Sequence, residues 1–186
     1  MKPSISRRIL HRVIVATVAL ACSVGSFTGA AATSTLPSLK ISALTDRLAV
    51  SGQVNPDQIA ELKALGYTTI VALRPDGEQP DQPSAGQISE AARRHGMTFA
   101  YVPVQSGAIP DAAVTALDSA ILGNSEKVLM YCRTGSRAAR AWSLAEASRP
   151  GGADTETILA KVSAGGQSAD DMRTAIAARV AARPAK

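Results

Sequence analysis

The stretch of sequence that decides the fold is KVLMYCRTGSR, residues 127–137. Its first five residues are apolar apart from Lys127, and they predict a buried strand. Residues 132–137 contain one glycine and two arginines, and a helix is predicted to follow them to about Ala147. A strand that enters a tight loop and opens a helix can turn successive backbone N–H groups inward. This stretch therefore predicts a cradle for an anion.

Cys132 occupies the first position of the loop, where its sulfur would face the cradle. The start of the helix and the guanidinium groups of Arg133 and Arg137 favour the thiolate form. The planar fork of Arg137 can bind two oxygens of an oxyanion at once. Gly135 permits a backbone conformation that is closed to other residues. The sequence therefore predicts a reactive thiolate beside an anion site.

Each residue of the loop receives a predicted role. Cys132 and Arg137 are the predicted catalytic residues. The predicted substrate-binding residues are Arg133, Thr134, Gly135 and Ser136, because hydroxyl, amide and guanidinium groups can all donate to an anion. The alternative is a buried and inert Cys132, as most lone cysteines are. An inert core position, however, has no use for two neighbouring arginines.

Strands and helices alternate along the rest of the chain. Strands are predicted at 48–51, 67–73, 98–104 and 127–131, and helices at 55–66, 84–95, 110–122, 154–163 and 168–180, besides the one after the Cys132 loop. The first helix carries an apolar stripe of Ile59, Leu62 and Leu65. Such alternation implies right-handed crossovers. The predicted fold is α/β, a mainly parallel sheet of about four or five strands with helices on both faces, in a single domain over 36–182. Residues 33–46 are predicted to form a short leader before the first strand.

The N-terminus has the layout of an export signal. Of the 20 basic residues, four lie within positions 1–12, which hold no acid. An uncharged run at 13–32 follows and ends in three alanines, which offer a small-residue cleavage site. We therefore predict a signal peptide over 1–32, of the Sec or twin-arginine type, and a periplasmic or secreted protein. An uncleaved N-terminal anchor is the alternative.

Removal of the signal would leave a nearly neutral domain, since 20 minus 4 basic residues stand against 15 acidic ones. With six aromatic residues in the chain, there is no case for nucleic-acid binding. The mature domain would keep one thiol, Cys132, and one imidazole, His95, because Cys22 lies in the signal. We therefore expect no metal, no cofactor, no internal disulfide and no membrane contact after cleavage. His95 is interpreted as a helix-capping or surface residue.

A family resemblance follows from the loop and from its surroundings. The pattern Cys-Arg-x-Gly-x-Arg at 132–137 resembles the active-site loop of rhodanese-type sulfurtransferases. From about Leu48 to Val180, the chain resembles the phosphatase-like domain family named after beta-lactamase hydrolase-like proteins. The matching stretches are 51–53, 72–78, 107–109, 132–137, 157–159 and 171–173. The resemblance implies an enzyme with a cysteine-phosphatase-like fold, similar to that of dual-specificity phosphatases, and some members are named sulfur transferases.

Several departures from the phosphatase pattern bear on the reaction. Cysteine phosphatases use Cys-x5-Arg, whereas Cys132 and Arg137 are spaced as Cys-x4-Arg, a shorter ring that suits a smaller group. Phosphatases place Ser or Thr after the arginine and His before the cysteine, where this chain has Ala138 and Tyr131. They also need a general acid to protonate an alkoxide leaving group. The nearest acid after the third predicted strand is Asp111, which is interpreted as a helix-capping residue.

The first hypothesis is therefore a cysteine-dependent sulfurtransferase. Its Cys132 thiolate would attack the outer sulfur of thiosulfate or of a persulfide, and a thiol acceptor would take the sulfur from the resulting Cys132 persulfide. The alternative is a cysteine-based phosphatase that forms a phosphocysteine at Cys132. A second alternative is a non-catalytic anion-binding protein. All three imply a small anionic sulfur or phosphate ligand and no cofactor.

Side chains outside the loop receive structural interpretations. Asp76 and Glu78 follow a predicted strand and border the site at most, because a turn at Asp76-Gly77 explains the acid there. Trp142 is interpreted as a packing residue. Arg140 is interpreted as an exposed helix charge.

Overall fold

The computed structural model describes residues 39–123 and 125–184. The predicted signal peptide, 1–32, lies outside these residues. The strands are β1 (Ile41–Ala43), β2 (Leu48–Ser51), β3 (Tyr67–Ala72), β4 (Thr98–Tyr101) and β5 (Lys127–Tyr131). The helices are α1 (Ile59–Ala64), α2 (Ala85–Arg94), α3 (Asp111–Leu122), α4 (Ser136–Ser148), α5 (Thr155–Ala164) and α6 (Arg173–Ala182). Within the described part of the chain, no helix is both long enough and apolar enough to cross a bilayer.

The strands form one sheet in the order β1-β2-β5-β3-β4. β2, β5, β3 and β4 run parallel, and β1 pairs antiparallel with β2 at one edge. This confirms the predicted α/β fold with a mainly parallel sheet. β1 lies in the segment that is predicted to be a leader. The sequence does not predict this strand, because three residues with one buried side chain carry no periodic signal.

The strand predicted over 98–104 is regular only to Tyr101, where β4 ends. Pairing with the end of β3 nevertheless continues. The N–H of Val102 donates to the carbonyl of Ala72 at 2.9 Å, and that of Val104 donates to the carbonyl of Leu73 at 3.0 Å. The extended segment therefore carries the chain past the end of β3 and towards the loop that follows β5.

Polar side chains fix the starts of two helices. The Ser84 hydroxyl accepts from the N–H of Gln87 at 3.2 Å, and the Gln87 side chain accepts from the N–H of Ser84 at 2.8 Å. This reciprocal pair is a capping box, and it confirms the predicted start of α2. At the start of α5, the Asp154 carboxylate accepts a hydrogen bond from the N–H of Thr157 at 2.8 Å and so caps that helix.

β5 is the central strand and is buried on both faces. Leu129 points into the core that α1 and α2 cover, whereas Val128 and Met130 point into the core that α3 to α6 cover. This double burial explains the uninterrupted apolar run from Val128 to Tyr131, because strands that are covered on both faces need not alternate with polar residues. The loop that follows β5 therefore starts from a strand held on every side.

The predicted apolar stripe of the first helix is only partly right. Ile59 and Leu62 are buried, with exposed fractions of 0% and 1%, but Leu65 is 49% exposed. α1 ends at Ala64, and Leu65 is its C-terminal cap. A helix of fewer than two turns presents one short face to the sheet, so the third member of the stripe lies beyond it.

We predict that two leucines of this segment differ sharply in their contribution to stability. Replacing Leu62 by Ala should lower the free energy of unfolding by about 2–5 kcal/mol, because it opens a cavity against the sheet. The matched variant Leu65→Ala should change it by less than about 0.5 kcal/mol, since Leu65 is half exposed. Urea unfolding followed by circular dichroism measures both, and equal losses would contradict this assignment of the α1 face.

Candidate active site

The loop between β5 and α4 is anchored to the end of β2. The N–H of Cys132 donates to the carbonyl of Ser51 at 3.4 Å, and the N–H of Gln53 donates to the carbonyl of Arg133 at 3.3 Å. β2 and β5 are adjacent parallel strands, so the loop lies at the carboxyl edge of the sheet. Ligand sites of open α/β sheets form at this edge.

The sulfur of Cys132 is enclosed by its own loop. Its Sγ accepts a hydrogen bond from the N–H of Gly135 at 3.2 Å. The residue is only 1% exposed, yet it lines a cavity of about 390 Å³. Cys132 therefore sits at the base of an opening, with at least one loop amide directed at its sulfur.

Gly135 is the one residue of the loop whose type is dictated by the backbone. Its φ is +93°, in the region that side chains disfavour. A Cβ at this position would lie 3.3 Å from the carbonyl oxygen of Ser51 and 3.0 Å from the Gln167 amide nitrogen. A glycine is therefore needed both for the turn of the loop and for its close approach to β2.

Arg137, in the first turn of α4, is held in place by three contacts. One Nη1 hydrogen is donated to the carbonyl of Val104 at 2.8 Å. Nη2 donates to Glu78 at 2.6 Å and to the Ser106 hydroxyl at 3.0 Å. A guanidinium has five N–H donors, so these contacts leave two for a ligand. The side chain is 13% exposed and lines the same cavity as Cys132.

Glu78 lies between two arginines. One of its oxygens accepts from Arg137, and the other accepts from Nε of Arg74 at 2.8 Å. Burial alone would raise the pKa of Glu78, but the hydrogen bonds and charges of Arg74 and Arg137 outweigh it and hold this pKa below its usual value. The carboxylate is therefore ionised, and it fixes the position of Arg137.

Arg74 extends the same network to Gln53, two residues after the end of β2. It is 5% exposed, and its Nη1 donates to the Gln53 side chain at 2.7 Å. Gln53 also contacts the hydroxyl of buried Tyr131, whose pKa is raised well above its usual value by burial first and by the charge of Asp76 second. The Tyr131 phenol is therefore neutral. No local pattern predicts this network, because Arg74 and Glu78 lie in a loop, where a four-residue spacing does not by itself bring side chains together.

The cavity collects five of the six predicted site residues. Its lining is Ser106, Gly107, Ile109, Cys132, Arg133, Thr134, Ser136, Arg137 and Arg140. Gly135, the sixth predicted residue, lies beneath the surface of the loop. The interpretation of Arg140 as a purely exposed charge is wrong, because Arg140 lines the cavity and makes a bidentate ion pair with Asp171, at 2.5 and 2.8 Å.

The acids considered from sequence have other partners. Asp76 accepts from the N–H of Ala85 at 2.7 Å, at the start of α2. Asp111 does not cap α3 through its side chain, and its carboxylate instead pairs with Arg179, outside the Cys132 cavity. Within the described ranges, no three acidic, cysteine or histidine side chains gather closely enough to hold a metal ion.

Two other residues agree with their sequence interpretation. Trp142 is fully buried in the core on the α4 side of the sheet. His95 is exposed at the C-terminal cap of α2.

Comparisons with known sequences point to one family. The family profile for the phosphatase-like domain of beta-lactamase hydrolase-like proteins matches residues 40–149. A beta-lactamase hydrolase-like protein of Xylella fastidiosa (strain Temecula1) is 40% identical over 108 residues, which are 58% of this chain and 25% of that protein. Its counterpart in Agrobacterium fabrum (strain C58) is 32% identical over 109 residues, 59% of this chain and 25% of that protein. The match thus spans about a quarter of these relatives.

Solved structures give the same picture of the fold. A candidate phosphatase of Neisseria meningitidis Z2491 is 28% identical, with a TM-score of 0.67 over 76% of this chain and 99% of that chain. Tk-PTP in its active form is 16% identical, with a TM-score of 0.60 over 78% and 98%. A Cys-to-Ser form of P. aeruginosa TpbA in complex with phosphotyrosine is 18% identical, with a TM-score of 0.54 over 80% and 86%. At such identities the last two support the cysteine-phosphatase-like fold alone. The family profile and the Neisseria structure favour the phosphatase alternative over the sulfurtransferase hypothesis.

We predict that Glu78 stabilises the fold in a pH-dependent way. A carboxyl whose pKa is lower in the folded protein contributes stability above its unfolded pKa, and this contribution is lost as the pH falls through the folded pKa. At pH 7, Glu78→Gln should therefore lower the free energy of unfolding by about 1–3 kcal/mol, because Arg74 and Arg137 lose a charged partner. The difference from wild type should shrink as the pH falls below about 4.3, the usual glutamate value.

Urea unfolding between about pH 7 and pH 3 measures this difference. Glu61→Gln is the matched control, since Glu61 is an exposed residue of α1. A gap between wild type and Glu78→Gln that stays constant over the whole range would contradict an ionic role for Glu78.

Proposed function

Since the chain belongs to the family of the phosphatase-like domain of beta-lactamase hydrolase-like proteins, we propose that it is a cysteine-dependent phosphatase with Cys132 as its nucleophile. One observation carries the proposal. The Cys132 sulfur lies at the base of a cavity, hydrogen-bonded to a loop amide, and Arg137 is fixed on the wall of that cavity. Thr134 and Ser136 line it with hydroxyl groups. The site therefore combines a nucleophile with donors for an anion.

The proposed reaction has two steps. A phosphomonoester binds with its phosphate oxygens towards the loop amides and the two remaining N–H groups of Arg137. The Cys132 thiolate attacks phosphorus, an S–P bond forms, and the P–O bond to the leaving group breaks with its electron pair on oxygen. In the second step, water attacks the phosphocysteine, the S–P bond breaks, and inorganic phosphate, a proton and the thiolate result.

The leaving group takes its proton from solvent in this scheme. Among the described residues, no carboxylate lines the cavity, and Glu78 is engaged by two arginines. A phenoxide is a far better leaving group than an alkoxide without a proton donor. The proposed substrates are therefore aryl phosphates, or phosphates with a comparably acidic leaving group. Phosphotyrosine, which the TpbA neighbour binds, belongs to this class.

A sulfurtransferase is the second candidate, and the length of the loop favours it. Cys132 and Arg137 are separated by four residues, and buried Ala138 follows where a hydroxyl would assist a leaving thiolate. The thiolate would attack the outer sulfur of thiosulfate, so that a new S–S bond forms and sulfite leaves with the electrons of the old one. An acceptor thiolate would then take the outer sulfur from Cys132.

We predict that wild-type protein releases phosphate from 4-nitrophenyl phosphate and that Cys132→Ser abolishes the release. Arg137→Lys should lower kcat/KM about 100-fold or more, because an ammonium cannot replace the paired donors of the fork. Arg93→Lys on exposed α2 is the matched control and should leave kcat/KM unchanged.

Intact mass spectrometry after incubation with thiosulfate distinguishes the candidates. A phosphoryl adduct during turnover of the aryl phosphate supports the phosphatase. Gain of one sulfur atom on Cys132, together with formation of thiocyanate from cyanide, would refute the phosphatase proposal and support the sulfurtransferase. Anion binding without turnover in either assay would leave the non-catalytic alternative.

We also propose that residues 1–32 act as an export signal and that 36–182 form the mature domain in the periplasm or outside the cell. The supporting observation is the basic start followed by the uncharged run and three alanines. When the full chain is expressed in a bacterium with a periplasm, N-terminal sequencing of protein from the periplasmic fraction should start after Ala32. Full-length protein in the cytoplasmic fraction would contradict export, and full-length protein in the membrane fraction would indicate the uncleaved anchor.

A further inference from the structure

The cavity above Cys132 is larger than a phosphate group requires. Its volume of about 390 Å³ corresponds to roughly a dozen water molecules. A phosphate has five heavy atoms, so the cavity leaves room for another part of the substrate. Besides the Cys132 loop and Arg137, the cavity is lined by Ser106, Gly107 and Ile109 and by the side chains of Arg133 and Arg140.

The two outer arginines differ in how they are held. Arg133 is exposed, and its guanidinium has no hydrogen bond or ion pair with any residue in the described part of the chain. Arg140 is fixed by the carboxylate of Asp171, which occupies two of its five N–H groups. Both side chains therefore keep donors for a ligand in the cavity.

The spacing of Arg140 relates it to the catalytic centre. Residues three apart on a helix are neighbours on one face, with Cβ atoms about 5–6 Å apart, so Arg140 lies one turn along α4 from Arg137. Because Arg137 and Arg140 line the same cavity, a group bound by Arg140 can belong to the same small molecule as a phosphate on the cradle. Among the lining residues, Ile109 is the only large apolar side chain, and none is aromatic.

From this arrangement we propose that Arg133 and Arg140 form an outer anion subsite, so that the preferred substrate carries a second anionic group, a phosphate or a carboxylate, beside the scissile phosphate. The inference rests on the proposed phosphatase function for the identity of the inner group. Its basis is separate, because it uses two residues that take no part in bond breaking. Arg133 and Arg140 are specificity-determining residues in this proposal.

A binding experiment tests the subsite without turnover. Cys132→Ser protein is titrated by calorimetry with methylphosphonate and with methylenediphosphonate. Two charge-assisted contacts should make the diphosphonate bind at least about tenfold more tightly. Adding Arg133→Gln and Arg140→Gln should bring the two affinities within about threefold. Adding Arg93→Gln instead, which removes an exposed charge on α2, should keep the preference.

A kinetic experiment tests the same preference in turnover. Wild-type protein is given 3-carboxyphenyl phosphate and its neutral amide, 3-carbamoylphenyl phosphate. The amide has the better leaving group, so a higher kcat/KM for the carboxylate reports recognition and not reactivity. The ratio of the two kcat/KM values should fall at least about tenfold when Arg133→Gln and Arg140→Gln are introduced with Cys132 intact, and added salt should lower the ratio in wild type.

The outcomes separate the two proposals. Equal affinities of the Cys132→Ser protein for the two phosphonates, or a preference that survives loss of both arginines, would overturn the subsite. Hydrolysis of 4-nitrophenyl phosphate in the same preparation would then leave the phosphatase proposal intact. A diphosphonate preference that depends on Arg133 and Arg140, without hydrolysis of any aryl phosphate, would support the subsite and refute the phosphatase.

Discussion

The position of β5 between β2 and β3, with both of its faces buried, is the constraint on which the site depends. A strand that is paired on both sides and covered on both faces cannot shift without breaking two ladders and two cores. The loop from Cys132 to Gly135 is therefore fixed at one end by β5 and at the other end by the start of α4. Backbone hydrogen bonds between this loop and the end of β2 further restrict the position of the loop. The position of the Cys132 sulfur is thus set by the most tightly constrained strand of the sheet.

The second element of the site is electrostatic. Arg74, Glu78 and Arg137 form a chain of charges that runs from the end of β3 to the first turn of α4. Burying one of these arginines alone would be unfavourable, since a charge removed from water needs a partner. The shared carboxylate supplies that partner and also orients the guanidinium beside Cys132. Stability and the geometry of the site therefore depend on the same three side chains.

The parts of the fold that could be predicted from the sequence are those encoded in contiguous residues. The strand, loop and helix around Cys132, the cap at Ser84 and the four parallel strands all carry local signals. Contacts between distant residues do not. Glu78 and Arg137 are 59 positions apart, and Arg140 and Asp171 are 31 apart, so no local pattern pairs them. For the same reason the exposed Leu65 and the short β1 were missed, because their environment is set by where neighbouring elements end.

The length of the two outermost strands bears on the tendency of the folded protein to aggregate. An unpaired strand edge is a template on which other chains can add, and long flat edges promote intermolecular sheet growth. Here the edges are β1, with three residues, and β4, with four. The short regular length of both strands limits the number of free amide and carbonyl groups that an intermolecular ladder could use.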